Sequence, residues 1–248
     1  MRGRRAAGGR WWRSALFLAG QVATVIPFGV LVLPAALLPP LARYRLIRLW
    51  ALFILRWLKW TCRIDYRVEG RERLPPAPYI ILAKHQSAWE TFAFQEIFPP
   101  QVWVLKRELL WIPFFGWGLK LTDPIAIDRR AGRRALEQVV DQGLARLRSG
   151  RCVVIFPEGT RMAFGERGRY NPGGALLAVK SGHPVVPVAH DAGRYWPRRG
   201  FLKHPGTVQV RIGPAIDPRG RSAKEVNRLA EAWIEAQVAE LSTQPPGA

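Results

Sequence analysis

The first acidic residue of this 248-residue chain is Asp65, and eleven arginines and lysines precede it. They form two clusters, on either side of an uncharged and mostly apolar stretch from residue 14 to residue 42. That stretch is longer than the roughly 20 apolar residues that cross the hydrocarbon core of a bilayer. Such a segment needs apolar surroundings, so residues 1–63 are predicted to associate with a membrane.

Prolines interrupt the apolar stretch at four positions: Pro27, Pro34, Pro39 and Pro40. Because basic residues flank it on both sides, a single full span has no preferred orientation under the positive-inside rule. A helical hairpin that dips into one leaflet and returns accommodates both the prolines and the charges. A cleaved signal peptide starts with a similar pattern, but this stretch is too long and too interrupted by proline for one.

The residues that follow predict an interfacial helix. At about 100° per residue, its basic side chains share one narrow stripe, while tryptophans and aliphatic side chains cover the other faces. The stripe consists of Arg45, Arg48, Arg56, Lys59 and Arg63. Cations suit anionic headgroups, and tryptophans suit the acyl boundary. The alternative is a helix that packs against the core and whose arginines are merely solvated.

From Ile64 onward, strand and helix patterns alternate. Short apolar or alternating runs predict seven strands, at residues 64–68, 79–83, 102–105, 125–127, 152–156, 185–188 and 208–212. Apolar residues at helical spacing predict an amphipathic helix over 136–147, and a last helix runs from about 223 to 241. Strands separated by helices favour an α/β fold, with a mixed, largely parallel sheet covered by helices.

The length of the chain suits one α/β domain with an N-terminal appendage. We expect that domain to span residues 64–242, and residues 243–248 to fray. Cys62 and Cys152 have no paired spacing, so neither a disulfide framework nor a zinc site is indicated. A reducing compartment fits this cysteine usage.

The formal net charge of +20 implies an anionic partner, either nucleic acid or an acidic membrane surface. An RNA-binding surface is expected to combine basic residues with stacking aromatic residues on strands. In this chain the basic stripe is backed by an apolar helix face. This placement favours anionic membrane lipids, and not nucleic acid, as the partner.

Two segments carry polar side chains directly after apolar strands. Residues 84–91 follow the strand at 79–83, and residues 156–161 follow the strand at 152–155. The first segment contains a histidine and an acid, and the second contains a carboxylate and a guanidinium around a glycine. A guanidinium can hold phosphate oxygens in a bidentate fork. The first segment therefore suits proton transfer, and the second suits phosphate binding.

These segments resemble the glycerolipid acyltransferase family, specifically the bacterial 1-acylglycerol-3-phosphate acyltransferases. The family pattern has a histidine and an acid separated by four residues, a strand ending in arginine, Phe-Pro-Glu-Gly-Thr-Arg, and an apolar Val-Pro-Val segment. The matches occur in this order at His85 and Glu90, at Arg129, at residues 156–161 and at residues 185–188. The acid is Glu90, whereas the family usually has Asp. The resemblance covers about residues 65–213.

The resemblance implies an O-acyltransferase that moves a fatty acyl group from an acyl thioester to the sn-2 hydroxyl of 1-acylglycerol 3-phosphate, or lysophosphatidic acid. The product is phosphatidic acid for phospholipid synthesis, and residues 64–242 are the catalytic domain. Acyl-CoA or acyl carrier protein is the co-substrate, and we expect no other cofactor and no metal. The expected location is the cytoplasmic face of a bacterial inner membrane.

Two alternatives stay open. An acyltransferase of the same family that acts on glycerol 3-phosphate or on a lyso-aminolipid would carry the same motifs. A more distant alternative is a non-catalytic basic protein that binds membranes or nucleic acid.

The resemblance implies that His85 is the general base, because imidazole exchanges protons near neutral pH. Glu90 would fix the tautomer of His85 and stabilise the imidazolium. A local alternative is that Glu90 completes a capping box with Ser87. Backbone amides at the start of this helix are expected to bind the oxyanion. No Gly-x-Ser-x-Gly elbow occurs, so we expect direct transfer without a serine intermediate.

The acceptor phosphate is expected to bind arginines. Arg129 and Arg161 match family positions associated with the phosphate, and Lys106 is a weaker third candidate by the same resemblance. His183 and His190 lie seven residues apart across a strand-like run, so they point to opposite faces and do not suggest shared metal ligation.

The turn and the acyl pocket complete the predicted site. Glu158, Gly159 and Thr160 are expected to shape the turn and contact the glycerol. The aromatic loop at residues 111–117 is expected to border the acyl chain or the bilayer. The residues expected to form the acyl pocket are Val186, Pro187 and Val188.

Overall fold

The computed structural model describes residues 2–128 and 130–244, apart from the side chains of residues 2–9. The N-terminal part is a pair of long helices, α1 (Arg2–Leu31) and α2 (Pro40–Cys62), joined by a 3₁₀ segment (Leu33–Leu37). The helices are antiparallel, since the indole of Trp57 donates to the carbonyl of Phe17 and that of Trp50 donates to the hydroxyl of Thr24. The predicted helical hairpin is confirmed.

A mixed sheet forms the centre of the rest of the chain. Its seven strands among the described residues are β1 (Ile64–Glu69), β2 (Ile80–Ala83), β3 (Gln101–Lys106), β4 (Ile125–Ile127), β5 (Cys152–Ile155), β6 (Val185–His190) and β7 (Gly206–Ile212). The strand order is β1-β7-β6-β2-β5-β3-β4. Neighbouring strands are parallel except for β6 and β7. The predicted fold class is therefore confirmed.

Helices cover both faces of the sheet. Beyond the hairpin, the described helices are α3 (Trp89–Ile97), α4 (Phe115–Lys120), α5 (Arg133–Arg148), α6 (Gly173–Ser181), α7 (Ala192–Tyr195) and α8 (Ala223–Thr243). Successive side chains of a strand point to opposite faces. Accordingly, Ile81 packs with the hairpin and α3, whereas Ile80 and Leu82 pack with α5, α6 and α8. Each face of the sheet thus has its own hydrophobic core.

The helix α2 has two different apolar faces. One face is part of the core, where Ala51, Ile54 and Leu58 are buried. The opposite face leaves Leu46, Leu49, Phe53 and Trp60 exposed. The helix therefore packs against the core and also presents an apolar surface, and its placement at a membrane interface stays a prediction.

The basic stripe of α2 lies beside its exposed apolar face. Arg45, Arg56, Lys59 and Arg63 are exposed, as an interfacial helix requires. Arg48 differs, because it is half-buried and its guanidinium donates a hydrogen bond to the backbone carbonyl of Gln95 in α3. Arg48 therefore connects the hairpin to the sheet domain.

An apolar surface extends from α2 over α1 and the loop before α4. The helix α1 exposes an apolar side chain at every fourth position, which places these residues on one face. Its members, which we call the hairpin apolar surface, are Leu18, Val22, Ile26, Val30, Leu46, Leu49, Phe53, Trp60, Trp111, Ile112 and Trp117. Among the described residues, one helical segment, Arg10–Leu31, is long and apolar enough to cross a membrane, with a mean hydropathy of 1.8.

The two faces of α2 should respond differently to truncation. Leu58→Ala removes a buried side chain and should lower the free energy of unfolding by about 2–5 kcal/mol. Leu49→Ala, on the face where the side chain is 57% exposed, should change it by less than about 0.5 kcal/mol. Urea denaturation of both variants in the same detergent measures this difference. Equal destabilisation by the two substitutions would contradict the assignment of the faces.

Candidate active site

The two motif segments meet because of how their strands pair. Strands β2 and β5 are parallel neighbours, and Leu82 lies opposite Ile155. Residues 84–88 follow β2, and residues 156–161 follow β5. Since parallel strands end at the same edge of a sheet, both segments leave the sheet side by side. Ligands of open α/β sheets bind in crevices at this edge.

His85 and Glu90 form a direct hydrogen-bonded pair. The Nδ1 atom of His85 lies 2.8 Å from the Oε1 atom of Glu90. The same oxygen accepts the backbone N–H groups of Gln86 and Ser87, each at 2.9 Å. Burial by itself would raise the pKa of Glu90, but the hydrogen bond with His85 and that with the Ser87 amide lower it below its ordinary value. Glu90 is therefore an anion at neutral pH.

The capping interaction and the histidine contact involve the same carboxylate oxygen. Glu90 accepts a hydrogen bond from the backbone N–H of Ser87, as in a capping box. The hydroxyl of Ser87 accepts a hydrogen bond of 3.1 Å from the backbone N–H of Trp89. Helix α3 begins at Trp89. The two predicted roles of Glu90 are thus compatible in one geometry.

The ring of His85 is held in one orientation. Its face stacks on the ring of Phe156, with centroids 4.0 Å apart and an angle of 10° between the planes. With Nδ1 donating to Glu90, Nε2 is the unprotonated nitrogen on the other side of the ring. The side chain is 13% exposed and lines the cavity described below. Nε2 can therefore accept a proton from a bound hydroxyl group.

Some of the backbone amides that were expected to bind an oxyanion already donate hydrogen bonds within the protein. Those of Gln86 and Ser87 donate to Glu90, and that of Trp89 donates to Ser87. These three N–H groups around the start of α3 therefore have acceptors within the protein, two in the buried carboxylate and one in the Ser87 hydroxyl. The predicted oxyanion site is not formed by them.

The turn after β5 positions the guanidinium of Arg161. Gly159 has φ +67°, a left-handed conformation that favours glycine, and its N–H donates to the carbonyl of Phe156. Thr160 and Arg161 follow and line the cavity together with His85. The backbone carbonyl of Arg161 accepts a hydrogen bond of 2.6 Å from the guanidinium of Arg198, a contact without a sequence signal.

Glu158 faces protein groups. Its Oε2 accepts the backbone N–H of His85 at 3.1 Å, and its Oε1 accepts from Lys84 at 2.7 Å and from Gly168 at 3.1 Å. The residue is 7% exposed and belongs to the cavity lining. The carboxylate thus links the turn to the histidine segment, and its contact with the glycerol stays a prediction.

The other predicted phosphate ligands are less central. Lys106 ends β3, is about half-exposed and lies 3.4 Å from Glu108, and it is not among the described residues that line the cavity. Arg129 lies outside the described residues. Arg169, which has no motif spacing to reveal it, lines the cavity and is exposed. It is two residues from Asn171, whose backbone and side-chain N–H groups donate to Pro157.

A cavity of about 890 Å³ connects these polar groups to the hairpin. Its polar end contains His85, Arg161 and Arg169. Its apolar walls come from several helices and strands, with Val25, Phe28, Ile47, Trp50, Phe92, Leu105, Phe114, Phe115, Leu119 and Val139 among the lining side chains. One space therefore offers a base, cations and an apolar channel.

The predicted acyl pocket lies elsewhere than this cavity. Val186, Pro187 and Val188 are buried in β6 and are not among the described residues that line the cavity. The reason is that β6 lies between β2 and β7, and both faces of the sheet are covered. In the aromatic loop, Phe114 and Phe115 line the cavity and Trp111 and Trp117 are exposed, and the contact of this loop with an acyl chain or the bilayer stays a prediction.

The remaining histidines serve the structure. His190 is fully buried, and its Nε2 donates to the carbonyl of Lys84 at 2.9 Å while its Nδ1 accepts from Ala192. Burial lowers the pKa of His190, so it stays neutral at neutral pH. Among the described residues no group of three or more potential metal ligands occurs.

Sequence and structure comparisons agree with this geometry. A family model described as Acyltransferase matches residues 65–191. This chain belongs to the acyltransferase family. It is 46% identical over 235 residues to the 1-acyl-sn-glycerol-3-phosphate acyltransferase of Pseudomonas aeruginosa, covering 93% of this chain and 91% of that protein. The family predicted from the motifs is thus confirmed.

More distant relatives of the acyltransferase carry the same name. The alpha form of 1-acyl-sn-glycerol-3-phosphate acyltransferase from Mus musculus is 30% identical over 177 residues, covering 70% of this chain and 62% of that protein. The crystal structure of the 1-acyl-sn-glycerophosphate acyltransferase from Thermotoga maritima superimposes with a TM-score of 0.79 at 26% identity and covers 99% of both chains. The fold, hairpin included, is therefore that of a known acyltransferase.

Substitutions at the His85–Glu90 pair should separate catalysis from helix capping. His85→Ala should lower kcat by a factor on the order of 10²–10⁴, the usual contribution of a general base, while the protein stays folded. Glu90→Gln keeps the capping amide contact but loses the negative charge that stabilises the His85 imidazolium, so kcat should also fall strongly at a nearly unchanged Tm. Steady-state kinetics and thermal melts measure both. A fully active Glu90→Gln enzyme would reduce Glu90 to a helix cap.

Proposed function

We propose that this acyltransferase moves a fatty acyl group from an acyl thioester to the sn-2 hydroxyl of 1-acylglycerol 3-phosphate and so forms phosphatidic acid. The observation that carries the proposal is the single cavity that joins the His85–Glu90 pair, the guanidinium of Arg161 and an apolar channel. An acyl transfer to the hydroxyl of a lipid that carries a phosphate needs these three elements together. The names of the relatives from Pseudomonas aeruginosa and Thermotoga maritima agree with it.

The base acts on the acceptor hydroxyl. Nε2 of His85 takes the hydroxyl proton as the oxygen attacks the thioester carbonyl carbon, and a tetrahedral intermediate forms. The carbon–sulfur bond then breaks, and the leaving thiolate takes the proton back from His85. Glu90 stabilises the imidazolium between these two steps, because it is a buried anion in contact with Nδ1. No covalent acyl-enzyme is required.

The acceptor phosphate binds at the polar end of the cavity. Arg161 and Arg169 both line this end, and the Asn171–Pro157 hydrogen bonds hold their two backbone segments together. A planar guanidinium matches two phosphate oxygens, which makes arginine well suited to this role. Arg129 is the further phosphate ligand that the family motif implies.

The acyl chains occupy the apolar part of the cavity. Val25 and Phe28 of α1 and Tyr44, Ile47 and Trp50 of α2 contribute to its walls. The hairpin that reaches the membrane therefore also borders the substrate space. A lipid acceptor could move between bilayer and active site without crossing water, because its apolar chain stays covered. Acyl-CoA or acyl carrier protein delivers the donor chain.

The hairpin apolar surface holds the enzyme in one leaflet of a membrane. Its exposed tryptophans Trp60, Trp111 and Trp117 suit the boundary between headgroups and acyl chains. The exposed cations Arg45, Arg56 and Lys59 lie beside this surface and suit anionic headgroups. We place the enzyme on the cytoplasmic face of the bacterial inner membrane.

An acceptor and donor panel tests the proposed reaction. Purified enzyme in anionic vesicles should acylate 1-acylglycerol 3-phosphate faster than glycerol 3-phosphate or a lyso-aminolipid, because the acceptor needs both a phosphate and an acyl chain. Acyl-CoA and acyl carrier protein donors of the same chain length should be compared in parallel. A higher kcat/KM for glycerol 3-phosphate would replace the proposed acceptor, and inactivity with all acceptors would refute acyl transfer.

Removal of the Arg161 guanidinium should affect the acceptor selectively. Arg161→Ala should raise the acceptor KM roughly 10- to 100-fold, the effect of one charge-assisted hydrogen-bonded contact, while the donor KM changes little. Arg161→Lys should recover part of the loss because it restores charge without the planar fork. Arg133→Ala is the matched control, since that side chain is 93% exposed and outside the cavity lining. An unchanged acceptor KM in Arg161→Ala would exclude a phosphate contact.

The basic side chains beside the hairpin apolar surface should control membrane binding. Replacing Arg45, Arg56 and Lys59 by glutamine should weaken binding to anionic vesicles by about 1 kcal/mol per charge, and added salt should weaken wild-type binding in the same direction. The control with the same charge change replaces three exposed cations on the opposite side of the sheet, namely Arg148, Lys224 and Arg228. Vesicle co-sedimentation measures both variants. An equal loss of vesicle binding in the two variants would contradict a membrane interface located at the hairpin.

A further inference from the structure

Three ionised side chains meet in the interior behind the catalytic histidine. The ammonium of Lys84 lies 2.7 Å from Glu158 Oε1 and 2.8 Å from Glu235 Oε1 of α8. The side chains of Lys84 and Glu158 are fully buried, and that of Glu235 is 16% exposed. A buried ion is stable only with close partners, so this arrangement depends on all three residues. We call it the Lys84 network.

All three N–H donors of the Lys84 ammonium, at the centre of the network, have acceptors. An ammonium has three N–H donors, and Lys84 uses the third on the backbone carbonyl of Glu166, at 2.8 Å. Tyr170 donates its hydroxyl hydrogen to Glu235 Oε1 at 2.8 Å. Burial raises the pKa of Glu158 above its ordinary value, although Lys84 acts in the opposite direction. The ionised state of Glu158 thus depends on Lys84.

The network reaches the catalytic base through one peptide unit on each side of His85. Glu158 Oε2 accepts the N–H of His85, at 3.1 Å. The carbonyl of His85 accepts the N–H of Met162, at 2.7 Å. Glu158 and Met162 flank the turn that carries Arg161, so these two bonds hold the His85 segment against the backbone of that turn. The side chain of Glu158 is the one side chain in this connection, and Lys84 donates a hydrogen bond to it.

We propose that Lys84 and Glu235 are positioning residues for acyl transfer, which act through Glu158 to hold His85 and Arg161 in their working arrangement. They are not among the described residues that line the cavity, so they do not contact substrate. Their effect passes from helix α8 to the histidine segment along Glu235, Lys84 and Glu158. The inference rests on the proposed function for the roles of His85 and Arg161.

Loss of the Lys84 network should change kcat and the acceptor KM together. A shift of His85 lowers kcat, because a displacement of about 1 Å at a reacting group costs on the order of 10²-fold. A shift of the Arg161 turn raises the acceptor KM. The donor KM should stay constant. A network that served stability alone would lower Tm and the folded fraction, and would leave kcat and KM of the folded enzyme unchanged.

Glu235→Gln is the sharpest variant because it removes one charge and keeps the size of the side chain. We expect kcat to fall about 10-fold and the acceptor KM to rise several-fold in the full chain reconstituted in vesicles. Tyr170→Phe removes one hydrogen-bond donor to Glu235 without a change of charge. It should give a smaller decrease in kcat and a smaller rise in the acceptor KM. Lys84→Met should give the largest loss, and if it does not fold, Glu235→Gln and Tyr170→Phe still decide the question.

The matched control is Glu231→Gln. Glu231 lies one turn earlier on α8 and also forms an ion pair, but its partner Arg167 is 65% exposed. This control should retain wild-type kcat and KM. Wild-type kinetics in folded Glu235→Gln, or an equal loss in Glu231→Gln, would overturn the proposal. The kinetics use whichever acceptor the wild-type enzyme prefers, so a wrong assignment of the acceptor in the panel would leave this test intact.

Discussion

The hydrogen bonds on the two sides of the His85 peptide are the contacts on which the rest of the site depends. One runs from the His85 N–H to Glu158 and the other from the Met162 N–H to the His85 carbonyl. They can form because β2 and β5 are parallel and end together, with Leu82 opposite Ile155. The sheet brings the two loops to the same edge, and these bonds then hold the backbone of the His85 segment against the turn that carries Arg161.

The hairpin lines the cavity and, in the proposed function, also contacts the membrane. Helix α2 buries Ile54 and Leu58 in the core, exposes Phe53 and Trp60, and places Trp50 in the wall of the cavity. A helix with 3.6 residues per turn can divide these tasks among three faces. The cavity that His85 lines is therefore incomplete without the hairpin, and residues 1–63 border the same space as the sheet domain.

Much of the fold could be predicted from the sequence because it depends on local patterns. Short apolar runs located the strands, and the 136–147 pattern located α5. The motif residues came together as expected at His85, Glu90 and Arg161. The Lys84 network had no such signal, since Lys84 and Glu235 are 151 positions apart and their contact depends on the packing of α8. The acyl pocket was misplaced to residues 186–188 for a related reason, because an apolar strand motif does not reveal that helices cover both its faces.

Glu90 shows how one carboxylate can meet two requirements. As a cap it has to reach the amides of Gln86 and Ser87, and as the partner of His85 it has to remain charged in the interior. The amides satisfy part of its hydrogen-bonding need, which offsets burial and helps to lower its pKa. The capping contacts therefore also favour the ionised state that catalysis uses. Because one oxygen contacts Nδ1 of His85 and both amides, a change that moves this carboxylate would disturb the cap and the histidine contact together.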